Sequence, residues 1–284
     1  MTFNFKRAKE SAERSLKSPL LELIVLGSQG SGKSFTIGTL GMKTLYLYGT
    51  RETHGPKAAS VRGTVNVEPL CIDFGYWRDE KKERAFSPDE TMQFLTAILT
   101  DYAYLKEQNY KAIALDGLAV LESVVKGTIA WKERCKSASG KHSNFKESEA
   151  SMEMIGLVIN QMKEAQRELG VHIIVTGIID VKSVDGFGGI EEASPKLGGY
   201  GLAESLNQHF GDIVVVGKMT KGGESKHKFQ SLADLTRVSK DEVGNVKKAL
   251  NFNPRLSGCE IPPYMDADLA TLVRFKEEQI GKNK

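Results

Sequence analysis

Apolar runs separated by amphipathic segments set the pattern of this chain. Residues 20–26 form a largely apolar run that ends at a glycine, as is typical of a strand buried on both faces of a parallel sheet. Residues 171–179 form a second such run. The alternation of strands with helices predicts an α/β fold with a mostly parallel central sheet, helices on both faces and a C-terminal antiparallel extension. Further strands are predicted at residues 43–48, 64–74, 111–115, 212–216, 228–238 and 246–252.

End signals and helical spacing predict the helices. Ser87, Pro88 and Glu90 have the order of a capping box with proline at the first helical position, and apolar residues continue at helical spacing to Leu105. A glycine-rich connection, residues 180–201, is longer than a compact domain usually contains without a purpose. The remaining helices are predicted at residues 3–17, 118–131, 152–169 and 202–209.

The composition is that of a globular protein, with 40% hydrophobic and 26% charged residues among 284. We expect a basic N-terminal arm (residues 1–19), one core (20–275) and a polar C-terminal tail (276–284). The formal net charge is only +3, so a nucleic-acid partner would have to meet a local basic patch. The three widely spaced cysteines favour a reducing compartment, and we find neither a signal peptide nor an apolar stretch of about 20 residues. The expected location is therefore the cytoplasm.

Residues 27–34 fit the phosphate-binding pattern G-x-x-x-x-G-K-[ST]. Its glycines let successive backbone N–H groups turn toward phosphate oxygens, and the helix that follows adds its positive N-terminal end. In this pattern the lysine reaches the β- and γ-phosphates and the serine hydroxyl binds Mg²⁺. The alternative is a glycine-rich turn with an incidental lysine. The predicted ligands are ATP and Mg²⁺, contacted by Gly27, Ser28, Gln29, Gly30, Ser31, Gly32, Lys33, Ser34 and Phe35.

Acidic residues at strand ends are the candidates for the remaining chemistry. Asp116 follows four apolar residues, and an aspartate at that place holds Mg²⁺ through water; the alternative is a cap for the helix that follows. Glu52 comes after the strand at 43–48 and is the candidate that activates water, with a solvated surface glutamate as the alternative. Thr176 interrupts an apolar strand and could sense the γ-phosphate, or could simply be a buried threonine satisfied by backbone.

These features, in this order, resemble the phage-encoded RecA-like ATPases that act as single-strand annealing proteins, relatives of the RecA/RadA recombinase core. The similarity covers roughly residues 20–275, and its specific parts are the P-loop and the strand that ends at Asp116. Relatives usually read Asp-x-Glu after the strand that follows the P-loop helix, whereas this chain reads Tyr48-Gly49-Thr50-Arg51-Glu52. The resemblance implies a RecA-like P-loop NTPase core with Lys33 and Ser34 on phosphate and Mg²⁺, Asp116 on Mg²⁺ and Glu52 as the water-activating acid.

In RecA-type proteins, two loops hold DNA. The first corresponds here to residues 132–146, where Trp131 and Phe145 at the edges could stack bases while cations neutralise phosphates. The second corresponds to residues 182–201. The first could equally be a solvated, mobile loop, and in the second Asp185, Glu191 and Glu192 oppose DNA phosphate. The candidate DNA-binding residues are Lys132, Arg134, Lys136, Lys141, Lys146, Lys182 and Lys196.

RecA-type ATP sites lie between subunits, so the resemblance also implies self-association into a ring or filament. Arg255, in a rigid turn after proline, is the best candidate for a cation that reaches a neighbour's phosphate, ahead of Lys247 and Lys248; the alternative is an ordinary surface arginine. The expected function is ATP hydrolysis coupled to binding of single-stranded DNA in recombination or annealing, with a single-strand binding protein as a further partner. The alternatives are an ATPase that acts on a protein assembly, a nucleotide-gated scaffold and a P-loop small-molecule kinase.

Overall fold

The computed structural model describes residues 18–49, 66–72, 87–137, 139–183, 191–195, 197, 209–221, 224–230, 248–250, 255–256, 261–262 and 265–282. The predicted N-terminal arm therefore lies almost entirely outside the described residues. Among the described residues, no helix is both long enough and apolar enough to cross a membrane.

A parallel sheet forms the centre of the protein, as the apolar runs predict. Six strands run parallel in the order β3-β2-β4-β5-β1-β7. Because all six run in one direction, their carboxyl ends share one edge of the sheet. Their bounds are β1 Glu22–Gly27, β2 Thr44–Tyr48, β3 Val67–Cys71, β4 Ala112–Asp116, β5 His172–Ser183 and β7 Asp212–Lys221.

Antiparallel strands extend the sheet at two places. The outer edge of β7 pairs with β8 (Glu224–Gln230) and with β10 (Arg255–Leu256), both antiparallel. The distal half of β5 pairs antiparallel with β6 (Glu191–Pro195), which pairs in turn with β9 (Lys248–Leu250). The mostly parallel α/β sheet with an antiparallel C-terminal part was predicted and is observed.

Helices cover both faces of the sheet. One face packs against five helices, which contribute Leu95, Leu121 and Ile155 among others to a large apolar cluster. The opposite face packs against two helices, which contribute Ile37 and Leu272. The five are α2 Pro88–Thr100, α3 Tyr102–Glu107, α4 Leu118–Gly127, α5 Ile129–Arg134 and α6 Asn144–Leu169, and the two are α1 Lys33–Gly38 and α7 Leu269–Lys282.

The structure differs from the predicted helices at their breaks. The predicted capping box is present, with the Glu90 amide donating to Ser87 Oγ, but the helix ends at Thr100 and a new one is capped by Asp101. Likewise, Thr128 ends α4 and caps α5, where its hydroxyl accepts from the Trp131 amide. In both cases a side chain that competes for backbone hydrogen bonds interrupts a run whose apolar spacing continues.

The predicted polar tail from residue 276 is instead part of helix α7. Lys276 is only 2% exposed, and its Nζ lies 2.7 Å from Asp212 Oδ2 and 2.7 Å from the Leu20 carbonyl oxygen. The prediction was wrong because the sequence around residue 276 is rich in charged residues, which is also typical of a polar tail. The partner of the buried Lys276, Asp212, is distant in sequence and could not be identified from it. Asp212 begins β7, so α7 is tied to the amino-end edge of the sheet.

Candidate functional site

The predicted phosphate-binding loop joins the carboxyl end of β1 to helix α1. Gly27 is the last residue of β1 and Lys33 the first of α1. Gly30 has a φ of 74° and Gly32 a φ of 96°, which side-chain-bearing residues rarely adopt. The Ser31 amide donates to the Ser28 carbonyl at 3.2 Å, so the loop closes in a tight turn. Since α1 has only six residues, the amides of the loop are a better source of positive potential than a long helix dipole.

The Lys33 ammonium is held over this loop. Its Nζ donates to the carbonyl oxygens of Ser28 at 2.8 Å and Gly27 at 3.1 Å. These contacts fold the side chain back along the loop, rather than out into solvent. They place a positive charge where the sequence pattern expects the β- and γ-phosphates.

Two features of the loop test whether it fits a phosphate group. A Cβ added to Gly27 would lie 2.4 Å from Ser31 Oγ and 2.7 Å from the Val216 carbonyl oxygen, so only glycine allows the loop to close this tightly. The Ser31 residue is 2% exposed, and its hydroxyl has no hydrogen-bond partner among the described residues. A buried hydroxyl without a partner is unfavourable unless a ligand oxygen or water satisfies it. The loop therefore fits a polyanionic ligand.

Asp116 is the last residue of β4 and is 2% exposed. Both of its carboxylate oxygens accept hydrogen bonds from hydroxyl groups of neighbouring strands. Thr176 Oγ1, on β5, lies 2.5 Å from Oδ1, and Tyr46 OH, on β2, donates to Oδ2. Thr176 Oγ1 also accepts from the Gly117 amide at 2.9 Å. The carboxylate is therefore fixed in orientation, with lone pairs remaining for a metal-bound water.

The strand register relates Asp116 to the loop. Thr176 is the register partner of Val25 on β1, two residues before Gly27, and β5 pairs with β1 on one side and with β4 on the other. Two strand spacings, about 10 Å, thus separate the strand of Asp116 from that of the loop. Asp116 alternates with Ala112 and Ala114, which pack on the same face of the sheet as Ile37 of α1. The loop and the carboxylate therefore share one edge and one face.

Tyr46 is a member of this site that the sequence did not identify. It is fully buried in an apolar strand, and its ring stacks on Tyr48 with centroids 5.8 Å apart. A phenol between two leucines of a buried strand was the available signal, because a buried tyrosine hydroxyl needs a partner. Thr176 was identified, but its hydroxyl is engaged by Asp116 and by a backbone amide.

The structure describes only some of the other predicted site residues. Glu52 and Lys196 lie outside the described residues. Arg255 pairs with Ile213 near the amino end of β7, whereas Gly27 is level with Val216. Arg255 is therefore displaced from its own chain's loop, both along the strands and across them. Lys182 lies in β5, within its pairing to β6, so the predicted second DNA loop is a strand in part.

The predicted first DNA loop is shorter than expected. Arg134 pairs with Glu153, and Lys136 Nζ lies 2.5 Å from Glu133 Oε1. Lys146 lies in α6 and donates to the Lys136 carbonyl oxygen at 3.0 Å. Within this segment, Lys132 and Lys141 are exposed and have no ion-pair partner among the described residues.

The position of Trp131 beside the loop predicts a ring that stacks on a base, but in the structure this ring is not available for stacking. It is 8% exposed and belongs to the main apolar cluster. Its Nε1–H donates to Ser151 Oγ at 2.9 Å. The sequence could not distinguish an aromatic residue at the edge of a loop from one that anchors α5 to α6.

The sequence matches no known protein-family model, and a search of curated proteins finds no match either.

Proposed function

We propose that this protein binds a nucleoside triphosphate with Mg²⁺ at the loop of residues 27–34 and hydrolyses ATP. The observation that carries the proposal is the shared edge and face of the loop and Asp116. A phosphate-binding loop and a fixed carboxylate about two strand spacings apart are the two halves that an Mg–nucleotide site requires. The strand between them contributes Thr176, which orients the carboxylate.

Each residue has a distinct task in this proposal. The loop amides and Lys33 bind the phosphates, and the Ser34 hydroxyl together with Asp116 holds the metal ion, Asp116 through water. Mg²⁺ suits such a site because it keeps several water ligands and needs few protein ones. When bound, it neutralises charge on the phosphate oxygens. Glu52 is proposed to orient or activate the attacking water, since it follows β2, whose carboxyl end lies beside Asp116.

The test compares binding with hydrolysis in matched variants. Lys33→Ala is expected to abolish nucleotide binding measured by calorimetry, because it removes the cation at the loop. Glu52→Gln is expected to retain binding and lose phosphate release. If Lys33→Ala bound ATP as the wild type does, the proposal would fail. If the wild type bound ATP and released no phosphate, the protein would be a nucleotide-gated scaffold; transfer of phosphate to a nucleoside would indicate a kinase.

Binding of single-stranded DNA is proposed as the use of this ATPase, on the RecA-like resemblance. Residues 132–147 carry five Lys or Arg against two Glu, so the α5–α6 connection is basic despite its ion pairs. Exposed ion pairs contribute about 0–1 kcal/mol, so Arg134 and Lys136 can exchange a carboxylate for a phosphate. Lys132 and Lys141 offer the most accessible charge.

The DNA proposal is tested by salt dependence. Lys132→Ala/Lys141→Ala is expected to reduce the slope of log affinity against log salt by about 1.4, at about 0.7 for each lost contact to single-stranded phosphate. Lys106→Ala/Lys111→Ala removes the same charge from two other exposed positions and should leave the slope unchanged. Equal slopes for the two double variants would contradict DNA binding here. ATPase activity without any salt-sensitive DNA binding would favour action on a protein assembly.

Self-association is proposed on the RecA-like resemblance, in which ATP sites lie between subunits. Arg255 pairs near the amino end of β7, away from its own loop, so the phosphate proposed for it is that of another copy. Arg255→Ala is expected to leave ATP binding intact. It should lower the rate of ATP hydrolysis at protein concentrations where sedimentation shows that the wild type assembles. Hydrolysis by Arg255→Ala at the wild-type rate in the assembled state would exclude this role.

A further inference from the structure

An exposed aromatic ring adjoins the phosphate-binding loop. Phe35 is 36% exposed, and it is the third residue of helix α1, which begins at Lys33. Among the described residues, the other large apolar side chains with comparable exposure are Ile129 and Leu157, at 66% and 52%, both on the helices of the opposite face. An apolar ring next to a loop for a polyanion therefore calls for a specific explanation.

The ring of Phe35 is supported by His227 of β8. Their centroids lie 5.6 Å apart with an angle of 36° between the planes. The same imidazole covers the loop, since a Cβ added to Gly32 would lie 2.5 Å from His227 Nδ1. His227 thus touches the last glycine of the loop and the first aromatic residue of the helix together.

The backbone of His227 is fixed from two sides. Strand β8 pairs with β7 through the partnership of His227 with Lys218. On its other side, the His227 carbonyl accepts from the Ala267 amide at 3.1 Å, next to an ion pair of 2.5 Å between Lys228 and Asp266. The imidazole therefore has a rigid support. Its Nδ1 is nevertheless buried without a hydrogen-bond partner among the described residues.

We propose that Phe35, supported by His227, is the platform on which the base of the bound nucleotide stacks. This inference rests on the proposed nucleotide-binding function and adds the part of the ligand beyond the phosphates. The ligand class is a nucleoside triphosphate recognised through the face of its base. Phe35 contacts the base, and His227 is a positioning residue that holds the phenyl ring against the end of the loop.

The order in which the loop contacts the phosphates indicates where the nucleoside of the bound nucleotide lies. Lys33 is the residue that reaches the β- and γ-phosphates, and the loop amides hold the α- and β-phosphates. The nucleoside then leaves the loop beside its last residues, where Phe35 follows Ser34. A phenyl face stacks on a base by the offset arrangement that aromatic pairs prefer. Because every base has such a face, the platform selects for the presence of a base and only weakly for its identity.

The experiment compares ATP with inorganic tripolyphosphate, which has the phosphates without the nucleoside. Binding of each to the full chain with Mg²⁺ is measured by calorimetry. Phe35→Ala is expected to weaken ATP by about 3- to 10-fold, the value of one aromatic contact, and to leave tripolyphosphate within about 2-fold of the wild type. Phe35→Leu keeps apolar bulk without a π-face and should weaken ATP by an intermediate factor.

Matched variants separate the possible failures. Lys33→Ala should weaken both ligands, and if it weakens neither, the proposed function itself fails. If Lys33→Ala weakens both while Phe35→Ala changes neither, or weakens both equally, the phosphate site stands and the base platform is wrong. Leu157→Ala removes an exposed apolar side chain elsewhere and should change nothing.

His227 is tested by a readout that a purely structural role would not move. The 13Cε1 resonance of its imidazole should shift on addition of ATP and shift much less on addition of tripolyphosphate. His227→Ala should weaken ATP more than tripolyphosphate, and reduce the further effect of Phe35→Ala in the double variant. Additive effects of the two substitutions would show that His227 does not act through Phe35.

Discussion

Acidification is expected to destabilise this protein through His172, the first residue of β5. The imidazole is 7% exposed, and its Nδ1 accepts a hydrogen bond from the Leu21 amide at 3.1 Å, which requires the neutral ring. The pKa of His172 is lowered from 6.5 to about 4, mainly by burial and also by the Lys276 ammonium, while the Asp212 carboxylate partly offsets the shift. Protonation would both lose the acceptor and add a cation beside a buried lysine.

The sign and size follow from linkage. The unfolded chain binds a proton at His172 below pH 6.5, while the folded protein resists it down to about pH 4. Stability is therefore fully present above about pH 6.5 and is lost as the pH falls toward 4. With these two pKa values the loss in the free energy of unfolding is about 1.4 kcal/mol at pH 5.5 and about 2.5 kcal/mol at pH 4.5.

The assay is urea unfolding of the wild type and His172→Asn at pH 7.5, 5.5 and 4.5. Asparagine can place its carbonyl oxygen near the position of Nδ1, so the acceptor for Leu21 is kept while the titration is removed. Carboxylates elsewhere titrate in both proteins and cancel in the difference. Between pH 7.5 and pH 4.5, the free energy of unfolding of the wild type should fall by about 2.5 kcal/mol more than that of His172→Asn. A difference that stays constant with pH would refute the reasoning.

Three further substitutions address the two edges of the sheet. Lys276→Met is expected to lower the free energy of unfolding by about 3–5 kcal/mol in urea unfolding, because it removes the buried cation that pairs with the Asp212 carboxylate; adding Asp212→Asn should restore part of this loss. Thr176→Val should lower the free energy of unfolding by about 1–3 kcal/mol, because Asp116 loses the hydroxyl that orients it. It should weaken ATP binding only when Mg²⁺ is present, and Thr176→Ser should restore that binding. Gly32→Ala should lower the free energy of unfolding by at least about 1–2 kcal/mol, because alanine disfavours the positive φ, and should abolish nucleotide binding. If this variant bound nucleotide at the wild-type affinity, the loop would be able to relax around alanine.

The main features of the fold could be predicted from local signals. Continuous apolar runs identified β1 and β5 as strands buried on both faces, and the capping box at Ser87 fixed the start of α2. What could not be predicted depends on distant partners. The charged residues from 276 onward gave no sign that Lys276 meets Asp212 across the sheet. Likewise, apolar spacing alone could not show the helix break at Thr128, where a hydroxyl caps the next helix.

The candidate site divides in the same way. The loop and Asp116 are local motifs, and the parallel order of the strands brings them to one edge. The groups that complete the site, Tyr46 on the carboxylate and His227 on the loop, come from strands whose neighbours depend on the whole topology. No spacing in the sequence relates His227 to Gly32. Residues that support a motif are harder to predict than the motif because their contacts are set by register.

Particular buried polar groups at the two edges of the sheet differ in whether they have hydrogen-bond partners, and this difference separates stability from binding. At the amino edge, two buried side chains are satisfied within the chain: Asp212 accepts from Lys276 and from the Glu22 amide, and His172 accepts from the Leu21 amide.

At the carboxyl edge, Ser31 Oγ and His227 Nδ1 are buried without partners among the described residues. Buried polar groups without hydrogen-bond partners lower the stability of the free protein, and a bound ligand can supply the partners. Nucleotide should therefore raise the free energy of unfolding by the same amount in Lys276→Met as in the wild type, because a ligand's contribution depends only on its concentration and affinity. An unequal increase would mean that the amino-edge ion pair also shapes the phosphate-binding loop.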